Sequence, residues 1–248
     1  MDARTGDLQT DPRWPELLAF CAHELRTPIT PGVGFLNWLL KENFGPLSER
    51  QRDALEHVQR SFVEIVRVVN ELSELSQLES GKATFNRGTV NLASVLSDSI
   101  AGLPELPGRA ITVSLIADGA LSVHGDPLRL RDAFSAILFA LRREMVTSDA
   151  LVVRAEARDQ DNVAIVRIVI GAPARIEELC HLAPSALAAF HEWRGGNGLR
   201  LAKARRIIEA HGGRVWGLPA PDTTEEEKIE TMRRDTKATA IVVIPAAR

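Results

Sequence analysis

The sequence predicts an α plus α/β protein, in which an antiparallel helical hairpin over residues 14–84 precedes an α/β sandwich over residues 90–248. Up to about residue 80, apolar residues recur every three or four positions, as in paired helices. From about Val90 the pattern instead alternates between short strands and helices, as in a layered α/β domain. The pair Gly45-Pro46 interrupts the helical pattern and predicts the turn of the hairpin.

Both hairpin helices have apolar faces. The first is predicted from about Pro15, with its buried face at Leu17, Leu18, Cys21, Leu25, Ile29, Val33, Leu36 and Leu40. The second begins at a capping box, Ser48 with Gln51, and ends at Ser80-Gly81-Lys82. Its seam consists of Leu55, Val58, Phe62, Ile65, Val69 and Leu72. Two helices cannot bury both faces, so we expect two chains to complete a four-helix bundle as a homodimer. A hairpin docked on its own C-terminal domain is the alternative.

The C-terminal part alternates helices with strands. Helices are predicted over residues 92–103, 126–145 and 198–211, and strands over residues 111–116, 151–157, 163–170, 215–216 and 239–244. A polar turn at residues 159–162 joins two of the strands into a hairpin. We therefore expect a mixed sheet with helices on one face. Residues 1–13 are expected to be a flexible leader, and residues 223–236 an exposed loop or short helix.

Composition excludes several classes of protein. The formal net charge of −3 gives no basic surface for nucleic acid. No apolar run approaches the roughly 20 residues of a membrane helix, and no signal peptide is present, so we expect a cytoplasmic protein without a membrane partner. The two cysteines, Cys21 and Cys180, lie far apart in sequence and suggest neither a disulfide framework nor a metal site.

The strongest chemical signal is His23, which lies inside the first predicted helix beside Glu24. An exposed imidazole next to a carboxylate can act as a nucleophile, because the carboxylate can orient the ring and accept a proton. Thr27 follows one helical turn later on the same face. Pro28 removes a backbone donor and is expected to bend the helix just beyond this turn. An ordinary surface histidine is the alternative interpretation.

The run His23-Glu24-Leu25-Arg26-Thr27-Pro28 resembles the phospho-acceptor box of sensor histidine kinases. The resemblance implies that His23 carries a phosphoryl group on a ring nitrogen and passes it to an aspartate of a response-regulator receiver domain. It also implies that Glu24 is the acid/base partner. Thr27 would then position the water that hydrolyses the regulator's acyl phosphate.

The resemblance covers nearly the whole chain from about Trp14, and it implies that the sandwich is of the histidine-kinase ATP-binding type. Four further runs carry it: Glu79-Ser80-Gly81-Lys82, Gly125-Asp126-Pro127-Leu128-Arg129-Leu130, Gly196-Asn197-Gly198-Leu199-Arg200-Leu201 and His211-Gly212-Gly213. The third run supplies the candidate nucleotide-binding residues, namely Gly196, Gly198 and Arg200, although Arg200 replaces the last glycine of that box.

The chain departs from the family pattern where ATP and Mg²⁺ would bind. Mg²⁺ needs a hard oxygen ligand, and phosphates need glycine-rich backbone that approaches them closely. Ala136 and Ala140 stand where the family carries asparagines. The run Gly171-Ala172-Pro173-Ala174-Arg175 replaces Asp-x-Gly-x-Gly and its adenine-binding carboxylate. The expected lid between Ile176 and Gly195 is short and apolar.

These observations leave three hypotheses for function. The leading one is a two-component phosphotransferase or phosphatase of histidine-kinase descent that acts through His23, with no metal site, no cofactor and impaired ATP binding. The second is an ATP-dependent sensor histidine kinase, which requires ATP and Mg²⁺ in a divergent site. The third is a non-catalytic dimeric pseudokinase scaffold that pairs with another histidine kinase. The complete box around His23 favours the first over the third, since a scaffold needs no reactive imidazole.

Overall fold

The computed structural model describes residues 13–160, 163–193, 198–219 and 235–247. The chain divides between Ala83 and Thr84 into two compact units, a helical unit and a sandwich unit, and each is described by itself. The expected leader, apart from Arg13, and most of the charged segment at residues 223–236 lie outside the described residues.

The helical unit is the predicted antiparallel hairpin. Helix α1 spans Trp14–Leu40 and α2 spans Glu49–Glu79. The capping box at the start of α2 is confirmed, because the Ser48 hydroxyl accepts from the Gln51 N–H while the Gln51 side chain accepts from the Ser48 N–H. Pro28 and Pro31 both lie inside α1, so neither proline ends the helix.

Burial in the hairpin of a single chain is confined to a narrow stripe. The buried apolar side chains are Leu18, Ala22 and Leu36 of α1 with Val69 and Leu75 of α2. Leu17 and Leu25, which were predicted on the buried face, are 52% and 47% exposed. The hairpin therefore presents large apolar side chains that it does not bury itself.

The sandwich unit contains two sheets and four α-helices among the described residues. The strands are β1 (Gly88–Asn91), β2 (Thr112–Asp118), β3 (Ser122–Gly125), β4 (Ala150–Gln160), β5 (Val163–Gly171), β6 (Ala188–Ala189), β7 (Arg214–Gly217) and β8 (Ala240–Pro245). The helices are α3 (Leu92–Ala101), α4 (Pro127–Glu144), α5 (Ile176–Cys180) and α6 (Arg200–Ala210). Strands β1 and β3 pair antiparallel, and the larger sheet has the order β2-β4-β5-β8-β7-β6. In that sheet only β2 and β4 pair in parallel.

Helices lie on both faces of the six-stranded sheet, which corrects the expectation of helices on one face. Helices α3, α4 and α6 cover the face that carries the fully buried residues Leu151, Val153, Ile168 and Ile170. On the opposite face Val169 of β5 and Ile241 of β8 pack against Leu179 and Cys180 of α5. Successive residues of a strand point to opposite faces of the sheet, and here both faces carry apolar side chains. The apolar side chains on the second face therefore need an element that packs against them.

Among the described residues, no helix combines the length and the apolar character that crossing a lipid bilayer requires.

Candidate functional site

His23 and Glu24 lie on the exposed surface of α1. Within the described ranges neither side chain makes a hydrogen bond or an ion pair, so the imidazole is open to a partner or to solvent. Successive residues of a helix differ by about 100° around its axis, so Glu24 flanks the imidazole rather than facing it. The arrangement provides an accessible nucleophile with a carboxylate beside it.

Thr27 is held at the turn that follows His23. Its hydroxyl donates a hydrogen bond to the main-chain carbonyl of His23, with 3.1 Å between the oxygens. The Thr27 oxygen keeps its lone pairs as acceptors for a water molecule. Pro28 and Pro31 have no N–H to offer the carbonyls of Glu24 and Thr27, which lie four residues before them. The carbonyls of Glu24 and Thr27 therefore lack the main-chain N–H donor that a continuous helix would give them.

Arg26 connects the two helices beside His23. Its Nη2 donates to the side chains of Asn70 and Ser73 of α2, each over 3.2 Å. A cavity of about 220 Å³ between the helices is lined by Arg26, Ile29, Thr30, Val33, Val66, Val69 and Asn70. The sequence indicated the helix that carries His23, but it did not indicate this interhelical contact of Arg26, which depends on residues more than 40 positions away.

The predicted nucleotide-binding residues lie in the sandwich unit and are only partly described. Gly196 lies outside the described residues. Gly198 has a φ of +57°, in the left-handed region that favours glycine, and Arg200 is the first residue of α6. The structure thus places Gly198 and Arg200 at the N-terminal end of one helix.

Ala136 and Ala140 lie one turn apart on α4, as the sequence register predicts. Ala140 is fully buried, and Ala136 is partly exposed. Neither methyl group offers an oxygen to a metal ion. Within the described part of the chain, no cluster of three or more His, Cys, Asp or Glu side chains is placed to hold a metal.

The segment that begins at Gly171 packs against the sheet. A Cβ on Gly171 would lie 2.6 Å from Cδ1 of Leu179, so this glycine permits the close approach of α5. The Arg175 guanidinium pairs with Glu178 over 3.1 Å, and Leu179 and Cys180 are buried on the second face. The lid expected between Ile176 and Gly195 therefore begins with a sheet-covering helix.

Asp126 is the residue that starts α4 and organises its surroundings. Its carboxylate accepts hydrogen bonds from the main-chain N–H groups of Leu128 and Arg129, as an N-cap, and from that of Asn86. Burial raises the pKa of Asp126, but the three N–H donors outweigh burial and hold the pKa below its ordinary value. This carboxylate is a structural anchor of the sandwich unit.

Residues 15–81 match the His Kinase A (phospho-acceptor) domain family. Among curated proteins, the chain is 30% identical over 222 residues to the sensor protein GacS of Pseudomonas syringae, with 86% of this chain and 24% of GacS covered. It is 28% identical over 207 residues to the circadian input-output histidine kinase CikA of Synechococcus elongatus, with 81% of this chain and 27% of CikA covered. The chain thus spans about a quarter of the length of these relatives.

Among solved structures, the fold resembles full-length ShkA in complex with AMPPNP, with a TM-score of 0.61 at 22% identity. The likeness covers 94% of this chain and 47% of ShkA, and at this identity it supports the fold alone. It agrees with the sequence resemblance in placing a helical hairpin before a mixed α/β sheet. With the match of the hairpin to the phospho-acceptor domain, the similarity to these histidine kinase relatives supports a histidine kinase catalytic core.

Proposed function

We propose that the chain is a phosphotransferase of two-component signalling that exchanges a phosphoryl group between His23 and the aspartate of a response-regulator receiver domain. One observation carries the proposal, namely the exposed imidazole of His23, which is not engaged by any described side chain and lies within a phospho-acceptor domain. The cavity lined by Arg26 adds a largely apolar surface between the two helices, in the turns of α1 that follow His23.

In the proposed transfer, a ring nitrogen of His23 attacks the phosphorus of the receiver's aspartyl phosphate. The N–P bond forms as the P–O bond to the aspartate breaks, and the aspartate leaves as a carboxylate. The attacking nitrogen must be unprotonated, and Glu24, the adjacent carboxylate, would accept a proton from the imidazole. The reverse reaction would return the phosphoryl group to the receiver.

Thr27 serves the hydrolytic direction in this proposal. A hydroxyl that donates to the His23 carbonyl leaves its oxygen free to accept a hydrogen bond from a water molecule. Such a water would be held one turn from the imidazole, where the bound receiver presents its acyl phosphate. Attack of this water on phosphorus would release inorganic phosphate and regenerate the aspartate.

We further propose that the hairpin acts as a homodimer. Apolar side chains on both helices are exposed in the single chain, including Phe20 at 62%, Val63 at 64% and Ile65 at 44%. Exposed apolar surface of this extent is characteristic of an interface, and a second hairpin would complete a four-helix bundle. Sedimentation equilibrium of the purified chain tests this, with a mass of twice 27.2 kDa expected.

The sandwich unit, in this proposal, does not supply the phosphoryl group from ATP. Three features support this: the methyl groups of Ala136 and Ala140, the close packing of Gly171 on Leu179, and the use of α5 as a sheet cover. The divergent autokinase remains the second candidate, since Gly198 and Arg200 lie together at the start of α6, where backbone N–H groups favour anions.

Phosphate exchange tests the proposal directly. A phosphorylated receiver domain mixed with the chain should transfer label to the wild type and not to His23→Gln, and the label should be acid-labile as expected of a phosphoramidate. Absence of transfer from any receiver of the source genome would contradict the proposal and favour the scaffold. Labelling of His23 by γ-labelled ATP and Mg²⁺ alone would instead establish the autokinase.

A further inference from the structure

A polar cavity of about 410 Å³ lies on the second face of the six-stranded sheet, within the sandwich unit. Arg158 on β4 and Arg167 on β5 project to this face, since Arg167 is the cross-strand partner of Glu156 and lies diagonal to Arg158. The remaining lining residues are Asp159, His181, Leu182, Ala183 and Pro184. The chain segment after α5 thus forms one wall, and the strands form the other.

Arg167 is an unusual charge for such a position, because it is only 7% exposed. Its Nη2 donates to the carbonyls of Leu179 and Leu182, over 3.3 and 2.8 Å. Its Nε is buried without a hydrogen-bond partner, and Nη1 makes no hydrogen bond within the described part of the chain. No described carboxylate lies within ion-pair distance of this guanidinium. Burying a cation without a counterion costs free energy. An anion that pairs with the cation offsets this cost and therefore binds more tightly.

Among the neighbouring charges, Arg158 repels the Arg167 guanidinium, and Glu156 attracts it without forming an ion pair with it. Glu156 is the nearest carboxylate in the strand register, but it pairs with Nε of Arg158 over 2.6 Å. Arg158 also donates from Nη1 to the carbonyl of Cys180. Asp159 and His181 lie at the exposed rim of the cavity. The cavity therefore has two guanidinium groups, of which only that of Arg158 forms an ion pair among the described residues, and a carboxylate and an imidazole at its rim.

We propose that this cavity binds a small phosphorylated metabolite, with the phosphate held by Arg158, Arg167 and His181. A planar guanidinium group can donate two parallel hydrogen bonds to two oxygens of one phosphate, and the imidazole adds a further hydrogen-bond donor. The volume lies within the range of about 300–1,000 Å³ for small-molecule sites, so the cavity has room for a carbon skeleton as well as a phosphate. Leu182, Ala183 and Pro184 supply an apolar wall for that skeleton.

This site is separate from phosphate exchange at His23 and does not depend on it. The guanidinium that would bind the phosphate also holds the carbonyls of Leu179 and Leu182. Binding would therefore stabilise the position of α5 on the sheet, and the thermal stability of the chain should rise with ligand concentration. If Arg167 serves only to hold these carbonyls, phosphate will have no such effect.

Calorimetry and thermal unfolding of the full chain test the site at constant ionic strength. The probes are glycerol 3-phosphate, inorganic phosphate, glycerol and succinate. We expect glycerol 3-phosphate and phosphate to bind and raise Tm, and glycerol and succinate to do neither. His181→Gln and Arg158→Gln should each weaken binding about tenfold through loss of one charge-assisted hydrogen bond. His181 is exposed, so its variant keeps the test valid even if Arg158→Gln unfolds.

Arg154→Gln is the matched control. Arg154 lies on the same strand and the same sheet face as Arg158, but it pairs with Asp118 and Glu177 and does not line the cavity. This variant should bind glycerol 3-phosphate as the wild type does. The proposal is overturned if phosphate compounds fail to bind, if succinate binds equally well, or if the three variants show the same affinity.

Discussion

The main-chain N–H of Asp126 donates a hydrogen bond to Nε2 of His211, with 2.9 Å between the two nitrogens. Because Nε2 accepts, the ring proton lies on Nδ1, which is 2.7 Å from the carbonyl oxygen of Ile207 and donates to it. A Cβ on Gly125 would lie 2.6 Å from Cδ2 of the same ring. His211 is thus a buried neutral imidazole that joins the end of α6 to the start of α4.

We expect mild acid to destabilise the sandwich unit through His211. Burial lowers its pKa, and the positive charges of Arg87 and His124 act in the same direction. The unfolded chain therefore binds a proton, near its ordinary pKa of about 6.5, that the folded chain excludes. The stabilising contribution is complete above about pH 6.5 and is lost as the pH falls below it. Urea unfolding followed by circular dichroism, repeated between about pH 7.5 and 5, measures this.

The variant His211→Gln separates this effect from other titrations. Glutamine can still accept from the Asp126 N–H, but it does not titrate. We expect it to lower the free energy of unfolding by about 1–3 kcal/mol at neutral pH and to remove most of the pH dependence in this window. The carboxyls of Asp126 and Glu209 have lowered pKa values and titrate at more acidic pH. An undiminished pH dependence in the variant would show that another group is responsible.

Thr27→Ala should separate the two proposed reactions of the helical unit. Loss of the hydroxyl removes the proposed acceptor for water, and we expect hydrolysis of the phosphorylated receiver to fall by about 100-fold. Transfer to His23 should persist, because the imidazole and Glu24 are unchanged. Inorganic phosphate released and label retained on the chain report the two reactions separately.

The stability of the Thr27→Ala variant provides its own control. The lost hydrogen bond to the His23 carbonyl is exposed, and alanine has the higher helix propensity, so the free energy of unfolding should change by less than about 0.5 kcal/mol. Thr27→Ser keeps the hydroxyl and should keep hydrolysis. Equal loss of both reactions in Thr27→Ala would contradict a role confined to water.

The hairpin was predictable because its signals are local. The capping box of Ser48 and Gln51 and the glycine at residue 81 mark the ends of α2 within a few residues of sequence. Which apolar positions are covered was less predictable. Leu17 and Leu25 satisfy the helical period, yet they are exposed in the single chain, since a period identifies a face and does not identify what covers it.

Two features of the sandwich unit that were not predicted depend on residues of other elements. The sequence predicts a helix over residues 198–211 that ends at His211, whereas the role of His211 depends on Asp126, 85 positions away. The sequence predicts the residues of α5 as part of a lid, whereas the burial of this helix depends on apolar residues of β5 and β8. Sequence spacing predicts which residues share one element, and it does not predict which element covers them.

Gly171→Ala should displace α5 from the sheet. A methyl group there would meet Leu179 at 2.6 Å, and we expect a loss of about 1–3 kcal/mol in the free energy of unfolding. Leu179→Ala alone should cost about 2–5 kcal/mol through the cavity that it leaves. Leu179→Ala also removes the atom that the added methyl group would meet. The double variant should therefore lose less free energy of unfolding than the sum of the two single losses.

A matched glycine tests whether that effect is steric. Gly88 has no atom within 4 Å of an added Cβ, so Gly88→Ala should change the free energy of unfolding by no more than about 0.5 kcal/mol. Additive losses in the double variant of residues 171 and 179 would contradict the contact. Denaturant titrations of the four variants and the wild type provide these values.

The thiol of Cys180 reports directly on the attachment of α5. The side chain is 2% exposed, and burial, followed by the negative charge of Glu156, raises its pKa. Thiolate is the reactive form, so both its burial and its raised pKa slow alkylation. In the variant Cys21→Ser, Cys180 is the only thiol, and we expect labelling at about pH 8 to be slow in the native protein and fast in urea.

The addition of Leu179→Ala to the Cys21→Ser variant should accelerate labelling of the native protein, because fewer apolar contacts then hold α5 against the sheet. Equal rates in native buffer and in urea would mean that α5 does not remain on the sheet.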